Sequence, residues 1–432
     1  MDWRQRKDTI VTNIVQQSTS ILIFLAVPKL LPVEGFGQIT FVATLLSFMT
    51  FADLGLSFVY SRKMPSIYAS GNSQEAQLWN ETVFTFRMYT ALLFGIVIGA
   101  IYFFKYQALL NSILLFLIPP LTVTTSFYIA QNTALSNFVT YRKINSFQAI
   151  VRLVTIPGVM LLGLLGWFLA QVVASLSTVV KIHRNAGWPQ KLKIDRMLLK
   201  EHLVEAVLLG AITTLWSELL VSGKVFASFL YSDAVIAQYG LMNTGYQIVA
   251  ALIISAFIPQ TVQVYRMIEV STQEALEYVF RTILRAIPIV FGLTVISREA
   301  TPYVLAYYFP KYHVDPIILD AVIFSLPVYP IIVTLGPILV GQKKSIPYLL
   351  LIAFALLVNG LILVLVKPYY GYRAAAIAQL GALFAFSTLL LILVFYLSKV
   401  SIKKSAIQFI KIYGSMAGLY VSYLSIRYVL FH

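Results

Sequence analysis

The residues able to do chemistry in this chain are the ionisable ones inside long apolar runs. They are Lys29, Asp53, Glu81, Arg87 and Arg152 in the first half, and Glu205, Glu218, Lys224, Arg285, Arg298 and Glu299 in the second. A charge at membrane depth is expensive to hold and marks a route for substrate, ion or proton, unless it reaches water at a helix end. Asp53, Glu81, Arg87, Glu205 and Arg285 stand within about two helical turns of one end of their runs. Snorkelling or a loop salt bridge explains them as well as a functional role does, and the same holds for Arg298 and Glu299 near the other end of theirs. Arg152, Glu218 and Lys224 lie deeper. Glu218 and Lys224 are separated by ~240° around an unbroken helix, so they are expected to face different neighbours. There is no Cys, which excludes disulfides, thiolate metal sites and a Cys nucleophile. The four His (His183, His202, His313 and His432) are scattered, so no metal centre, cofactor or catalytic set is expected.

The elements that position these charges are transmembrane helices. Of 432 residues 59% are hydrophobic and 11% charged, and mean hydropathy is +0.82; a soluble domain carries about 25% charged residues. Runs of about 20 apolar residues, the length of one crossing, occur at 11–31, 37–60, 82–104, 109–131, 146–165, 166–183, 204–230, 235–258, 282–300, 317–341, 346–366, 373–397 and 411–430. The longest connections, 61–81, 184–203 and 259–281, leave no room for an extramembrane domain. With the N-terminus in the cytoplasm, 21 Lys and Arg fall in cytoplasmic segments and 4 in outer ones, as the positive-inside bias requires. That bias accounts for the +15 net charge without nucleic acid. No cleavage site follows the charged start, so the first helix is expected to serve as its own signal. Segments 191–201 and 263–281 mix apolar and charged residues in the manner of interfacial amphipathic helices, or of solvated loop helices. Segment 411–430 either crosses, placing the C-terminus outside, or lies on the surface.

Gln38 after Gly37 and Gln238 after Ala237, each near an acidic residue (Glu34, Asp233) and a short loop, suggest a repeat with an offset of 200 residues. The expected organisation is therefore all-α and integral to the membrane. It has a six-helix lobe at 1–183, a cytoplasmic amphipathic linker at 184–203, a second six-helix lobe at 204–397 and an extra hydrophobic segment at 398–432. Pro28, Pro119, Pro120, Pro157, Pro288, Pro327, Pro330 and Pro337 interrupt or edge the spans. Kinks together with buried charges suit a moving transporter better than a static anchor.

Three stretches carry a family resemblance: Val33-Glu-Gly-Phe-Gly-Gln-Ile-Thr-Phe-Val, Phe51-Ala-Asp-Leu-Gly-Leu-Ser-Phe and Ser61-Arg-Lys-Met-Pro. A Gly-rich turn before the second helix, an Asp-Leu-Gly-Leu motif at its inner end and basic residues soon after resemble the polysaccharide biosynthesis family of the MOP superfamily, and within it the Wzx-type O-antigen flippases. The specific match covers the first half; beyond residue 183 it is one of topology. Members usually have twelve or fourteen spans, and thirteen departs from that.

The resemblance implies two MATE-like lobes that alternate access to a central cavity in the bacterial inner membrane. The implied substrate is an oligosaccharide repeat unit on an undecaprenyl-diphosphate carrier, moved from the cytoplasmic to the periplasmic leaflet. It implies an H+ or Na+ gradient as the driving force, a polysaccharide polymerase as a partner, and no enzymatic step. Arg152, Lys224, Arg87, Lys29 and Arg298 are then the candidates to meet the anionic diphosphate, where Arg can bind phosphate oxygens bidentately. Glu218 and Asp53 are the candidates for ion coupling. A MATE-like multidrug exporter would want an acidic cavity. A membrane-embedded polymerase or ligase would want a sizeable outer loop with catalytic groups, whereas 301–316, with His313 and Asp315, is short. No channel filter motif is visible.

Overall fold

The computed structural model describes residues 3–186, 191–313 and 315–431. Part of the expected linker (187–190) lies outside the described residues, as do Met1, Asp2, Val314 and His432. So do the side chains of Arg4, Arg6, Lys7 and Arg266, which entered the loop-charge count. Every regular element among the described residues is helical.

The chain divides into two compact units, Met1–Thr214 and Leu215–His432. The first holds α1 (Trp3–Leu30), α2 (Val33–Ser47), α3 (Met49–Ala52), α4 (Leu56–Ala69), α5 (Ser73–Tyr106), α6 (Leu109–Ala134), α7 (Phe138–Val151), α8 (Thr155–Ala186) and most of α9 (Arg196–Leu220). The second holds the end of α9, then α10 (Ser222–Leu230), α11 (Asp233–Val270), α12 (Thr272–Tyr308), α13 (Pro316–Ile323), α14 (Tyr329–Gly341), α15 (Ser345–Tyr370), α16 (Ala374–Leu397) and α17 (Ile402–Phe431). The division falls inside α9. Helices α2 and α11 begin at Val33 and Asp233, which keeps the 200-residue offset.

Among the described residues, eight stretches are long and apolar enough to cross a membrane. Two of them, Phe138–Arg184 with 47 residues and Ser345–Leu397 with 53, are over twice the length of one crossing. Each turns in its middle: the first at Gly163 (φ 58°, ψ −133°), the second at Gly371–Arg373. The expected spans 37–60, 235–258 and 411–430, which fall within stretches 33–69, 233–270 and 402–431, are not among the eight. The first is broken around Asp53–Gly55, and the last starts with Lys403, Lys404 and Lys411.

Helix α17 is nevertheless built into the second unit. Its first turns line a groove with Gln273, Glu277 and Arg281 at the start of α12. Its last turns line one with Arg298, Glu299 and Tyr303 towards the end of α12. The two helices therefore run side by side in the same direction. At about 1.5 Å per residue α17 is ~45 Å long, and its ends lie at the two ends of α12, which is one of the eight spans.

Neither expected interfacial helix exists as a separate element. Segment 263–281 is the end of α11 and the start of α12, meeting at Ser271, whose Oγ accepts from the Glu274 N–H at 3.3 Å. Its polar pattern belongs to the adjoining ends of two long helices. Segment 191–201 is irregular up to Asp195, which caps α9 by accepting from the N–H groups of Met197 and Leu198, both at 2.9 Å. Leu198 then turns inward to the core.

That core, in the first unit, joins Val59, Tyr60, Phe84 and Phe127 of α4, α5 and α6 to Leu198 and Ala206 of α9. Where lipid is the outer solvent, apolar burial yields little transfer energy. Close packing and buried hydrogen bonds hold the helices together instead. Hydroxyls after the Pro119–Pro120 pair bond back into their own helix: Thr124 Oγ1 donates to the Pro120 carbonyl and Thr122 Oγ1 to that of Ile118.

The turn before α13 is tied to the α15–α16 turn. Asp315 accepts from Arg373 Nε at 2.6 Å, Tyr372 Oη at 2.9 Å and the Ile317 N–H at 2.9 Å. Burial alone would raise its pKa, but these three donors hold the carboxyl below the usual carboxylate range. A carboxyl depressed on folding contributes stability above its unfolded pKa of about 4 and loses it as pH falls through the folded value. Thermal unfolding in detergent is therefore expected to show wild type more stable than Asp315→Asn at pH 7, with the gap closing below pH ~4. A gap independent of pH would rule out this ion pair as the cause.

Candidate functional site

Each unit contains a helix interrupted beside a charge. In the first unit the break separates α3 from α4 at Asp53, Leu54 and Gly55. Leu54 and Gly55 both take left-handed conformations (φ 49° and 75°). Asp53 stabilises the turn through Oδ1, which accepts from the Gly55 N–H at 2.8 Å. Its Oδ2 lies 3.2 Å from Arg87 Nε of α5 in an ion pair too poorly aligned to be a hydrogen bond. Arg87 Nη2 donates to Ser126 Oγ of α6 at 2.9 Å. Asp53 and Arg87 are both buried, so each neutralises a charge the other could not leave in the interior. Nearby, Tyr60 Oη donates to Asn80 Oδ1 at 2.6 Å, and Asn80 Nδ2 donates to Tyr68 Oη at 3.1 Å. Glu81, also buried, accepts from Gln77 Nε2 at 2.8 Å.

Helix α9 docks over this break. A Cβ on Gly55 would lie 2.0 Å from the Ala206 carbonyl oxygen and 2.7 Å from Gly210 Cα, so the two backbones touch where no side chain intervenes. The docking is reinforced by the Arg62–Glu205 ion pair and by Lys63 Nζ, which donates to His202 Nε2 at 3.1 Å. His202 stacks on Trp79 with centroids 5.0 Å apart.

In the second unit the break lies at Val221, between α9 and α10. The backbone groups it frees are taken up by one side chain. Gln379 of α16 donates from Nε2 to the Leu220 carbonyl at 3.0 Å and accepts on Oε1 from the Gly223 N–H at 2.8 Å. Asn359 of α15 donates to Ser222 Oγ. Gly223 permits the approach, since a Cβ there would lie 2.7 Å from Gln379 Oε1. Glu218 and Lys224 flank this break. The separate faces expected for them presumed an unbroken helix, and the break at Val221 removes that premise. Glu218 is buried and Lys224 half-buried.

Replacing Gln379 by Leu leaves the Leu220 carbonyl and Gly223 N–H without their bonds. It is expected to lower stability in detergent by about 1–2 kcal/mol, the range for interhelical bonds in membranes, and Gln379→Glu to lose less. A Leu variant as stable as wild type would show that the break holds itself.

The other expected site residues are placed differently. Arg152 is exposed in a 3-10 turn (Arg152–Val154) between α7 and α8, and pairs with no carboxylate among the described residues. Lys29 is exposed near the end of α1. Arg298 is buried, with Nε donating to Asp320 Oδ1 at 2.9 Å and Nη1 to Glu299 Oε1 at 3.3 Å. Glu299 also accepts from Tyr423 Oη and lies 3.9 Å from Arg427 Nε of α17. The Arg298 charge thus helps to join α12, α13 and α17. Asp320, Gln379, Asn359 and Ser126 were not singled out from the sequence. The signal for the two amides was present, since a neutral amide deep in a run as apolar as 374–397 needs a partner as a charge does.

No family model matches the chain, and no curated protein does. Solved structures do match. An inward-facing multidrug-resistance MATE family transporter of the MOP superfamily superposes with TM-score 0.64 at 14% identity, over 89% of this chain and 96% of that one. The lipid II flippase MurJ in an inward closed conformation gives TM-score 0.61 at 16% identity, over 96% and 93%. A MOP superfamily transporter from Pyrococcus furiosus, with a binding pocket of reversed polarity, gives 0.55 at 13%, over 92% and 95%. Identities this low speak to fold alone. The chain is an all-helical, multi-pass membrane protein with the fold of the MOP-superfamily transporters.

Proposed function

We propose that the chain is a flippase for undecaprenyl-diphosphate-linked oligosaccharide repeat units. It would sit in the bacterial inner membrane with its N-terminus in the cytoplasm and carry the unit to the periplasmic leaflet by alternating access. The observation that carries this reading is the contrast between accessible and buried charge. Arg152 is exposed in a broken helix and Lys224 half-buried at another, whereas Asp53 and Glu218 are buried and Asp53 is answered by Arg87. Cations presented at membrane depth suit an anionic diphosphate, which must otherwise cross a low-dielectric layer unaccompanied.

In this reading Arg152 and Lys224 meet the diphosphate, with Lys29 as a further contact. Arg87 tunes Asp53, and Arg298 holds helices together. Asp53 and Glu218 are the groups through which H+ or Na+ couples to the cycle, since each is a buried carboxylate beside a helix break. The resemblance of 33–65 to O-antigen flippases and the fold shared with the lipid II flippase support a lipid-linked sugar, with a polysaccharide polymerase receiving it outside.

Deletion in a host that makes a surface polysaccharide tests the proposal. Lipid-linked units are expected to be trapped on the inner leaflet and surface glycan to be lost. Accumulation of unpolymerised units outside would point to a polymerase instead. Intact glycan with heightened sensitivity to cationic drugs would point to a multidrug exporter.

A further inference from the structure

Away from both helix breaks, the start of α12, the end of α16 and the start of α17 enclose a groove of about 670 Å³. Its floor is apolar: Leu276, Phe280 and Phe395 are buried, the two rings 5.1 Å apart, and Ile407 closes one side. Its rim carries three exposed cations, Arg281, Lys399 and Lys404, against one carboxylate, Glu277. The N-terminus of α17 opens beside it at Ser401, which adds the positive end of a helix dipole. Gln408 lines the same groove with a buried side-chain oxygen that has no hydrogen-bond partner among the described residues.

A solvated basic loop needs no apolar floor, and an ordinary lipid-facing seam between helices needs no cationic rim. The combination matches one ligand chemistry: a phosphodiester head with acyl chains attached. We propose that this groove binds an anionic phospholipid of the surrounding leaflet. The head would lie among Arg281, Lys399 and Lys404, and the proximal acyl carbons against Phe280, Phe395 and Ile407. The volume exceeds what a lone phosphate needs, and a net excess of two positive charges disfavours a zwitterionic head. Because α17 forms one wall, an occupant would fasten the C-terminal helix to α12 at the end opposite the Arg298–Glu299–Arg427 cluster. The proposal does not depend on the identity of the transported substrate.

The full-length protein, purified in detergent, is titrated with phosphatidylglycerol, cardiolipin or phosphatidylethanolamine and read by native mass spectrometry and thermal unfolding. The expected result is retention of the two anionic lipids, with a raised unfolding temperature, and little retention of phosphatidylethanolamine. The combined variant R281Q/K399Q/K404Q, altered only at exposed positions, is expected to bind anionic lipid about tenfold or more weakly. The control variant K343Q/K344Q, which removes two cations from another loop, is expected to bind as wild type does. Equal loss in the control would reduce the effect to general surface charge and overturn the site. So would equal retention by wild type and the triple variant. Protection by inorganic phosphate or diphosphate as large as that by phospholipid would overturn the lipid assignment. Displacement of bound phosphatidylglycerol by a polyprenyl-diphosphate sugar at equal concentration would assign the groove to substrate instead.

Discussion

Asp53→Ala is expected to destabilise the protein by about 3–5 kcal/mol, the range for removing one partner of a buried ion pair. The substitution leaves the Arg87 guanidinium buried with Ser126 Oγ as its hydrogen-bond acceptor. It also removes the acceptor for the Gly55 N–H in a turn that holds two successive left-handed residues. Denaturation of the detergent-solubilised protein measures the loss. Asp53→Asn keeps an acceptor for Gly55 and is expected to lose less. The double variant Asp53→Ala/Arg87→Met removes both charges and is expected to recover much of the stability, because replacing a whole buried pair by apolar groups is often neutral. If the single Ala variant unfolds at the wild-type denaturant concentration, the pair is not a structural element. Transport separates a further role: Asp53→Asn at normal protein level with no transport is the result expected of a coupling residue.

Gly55→Ala is expected to cost a comparable amount for two additive reasons. A left-handed backbone costs a residue with a Cβ about 1–2 kcal/mol. Pushing that Cβ into packed backbone costs about 1–3 kcal/mol more, because the Ala206 carbonyl and Gly210 are main-chain atoms that cannot swing aside. Gly210→Ala faces the same wall, with its Cβ 2.7 Å from Gly55 Cα, but carries no left-handed penalty. Gly55→Ala is therefore expected to be the worse of the two in unfolding temperature and in yield of folded protein. Equal tolerance of both would mean that α9 does not rest on this turn.

The helical architecture was legible because apolar runs of crossing length separated by basic loops admit few alternatives. The Asp53–Gly55 break was partly legible, since Asp-Leu-Gly is turn chemistry inside an apolar run. The break at Val221 was not. Neither Val221 nor Ser222 is a strong breaker, and what stabilises the interruption is Gln379, more than 150 residues away. Without that break a helical wheel separates Glu218 from Lys224; with it the wheel no longer fixes their relative directions. Segment 263–281 was misread because the adjoining ends of two long helices carry the same mixed polar and apolar pattern as a separate amphipathic helix. Charge type alone also could not separate Arg298, whose guanidinium meets Asp320 and Glu299, from Arg152, which presents its charge outward.

The most direct test is transport by the purified chain in proteoliposomes. A fluorescent short-chain polyprenyl-diphosphate oligosaccharide is placed in one leaflet, and its appearance in the other is followed under an imposed ion gradient. Wild type is expected to move the lipid-linked sugar and not a cationic dye. Arg152→Ala/Lys224→Ala, at equal amounts of folded protein, is expected to be slower by about 10–150-fold, the equivalent of one lost charge-assisted contact of about 1.5–3 kcal/mol. Movement of the cationic dye alone, or an unchanged flipping rate in the double variant, would contradict cation-assisted passage of the diphosphate.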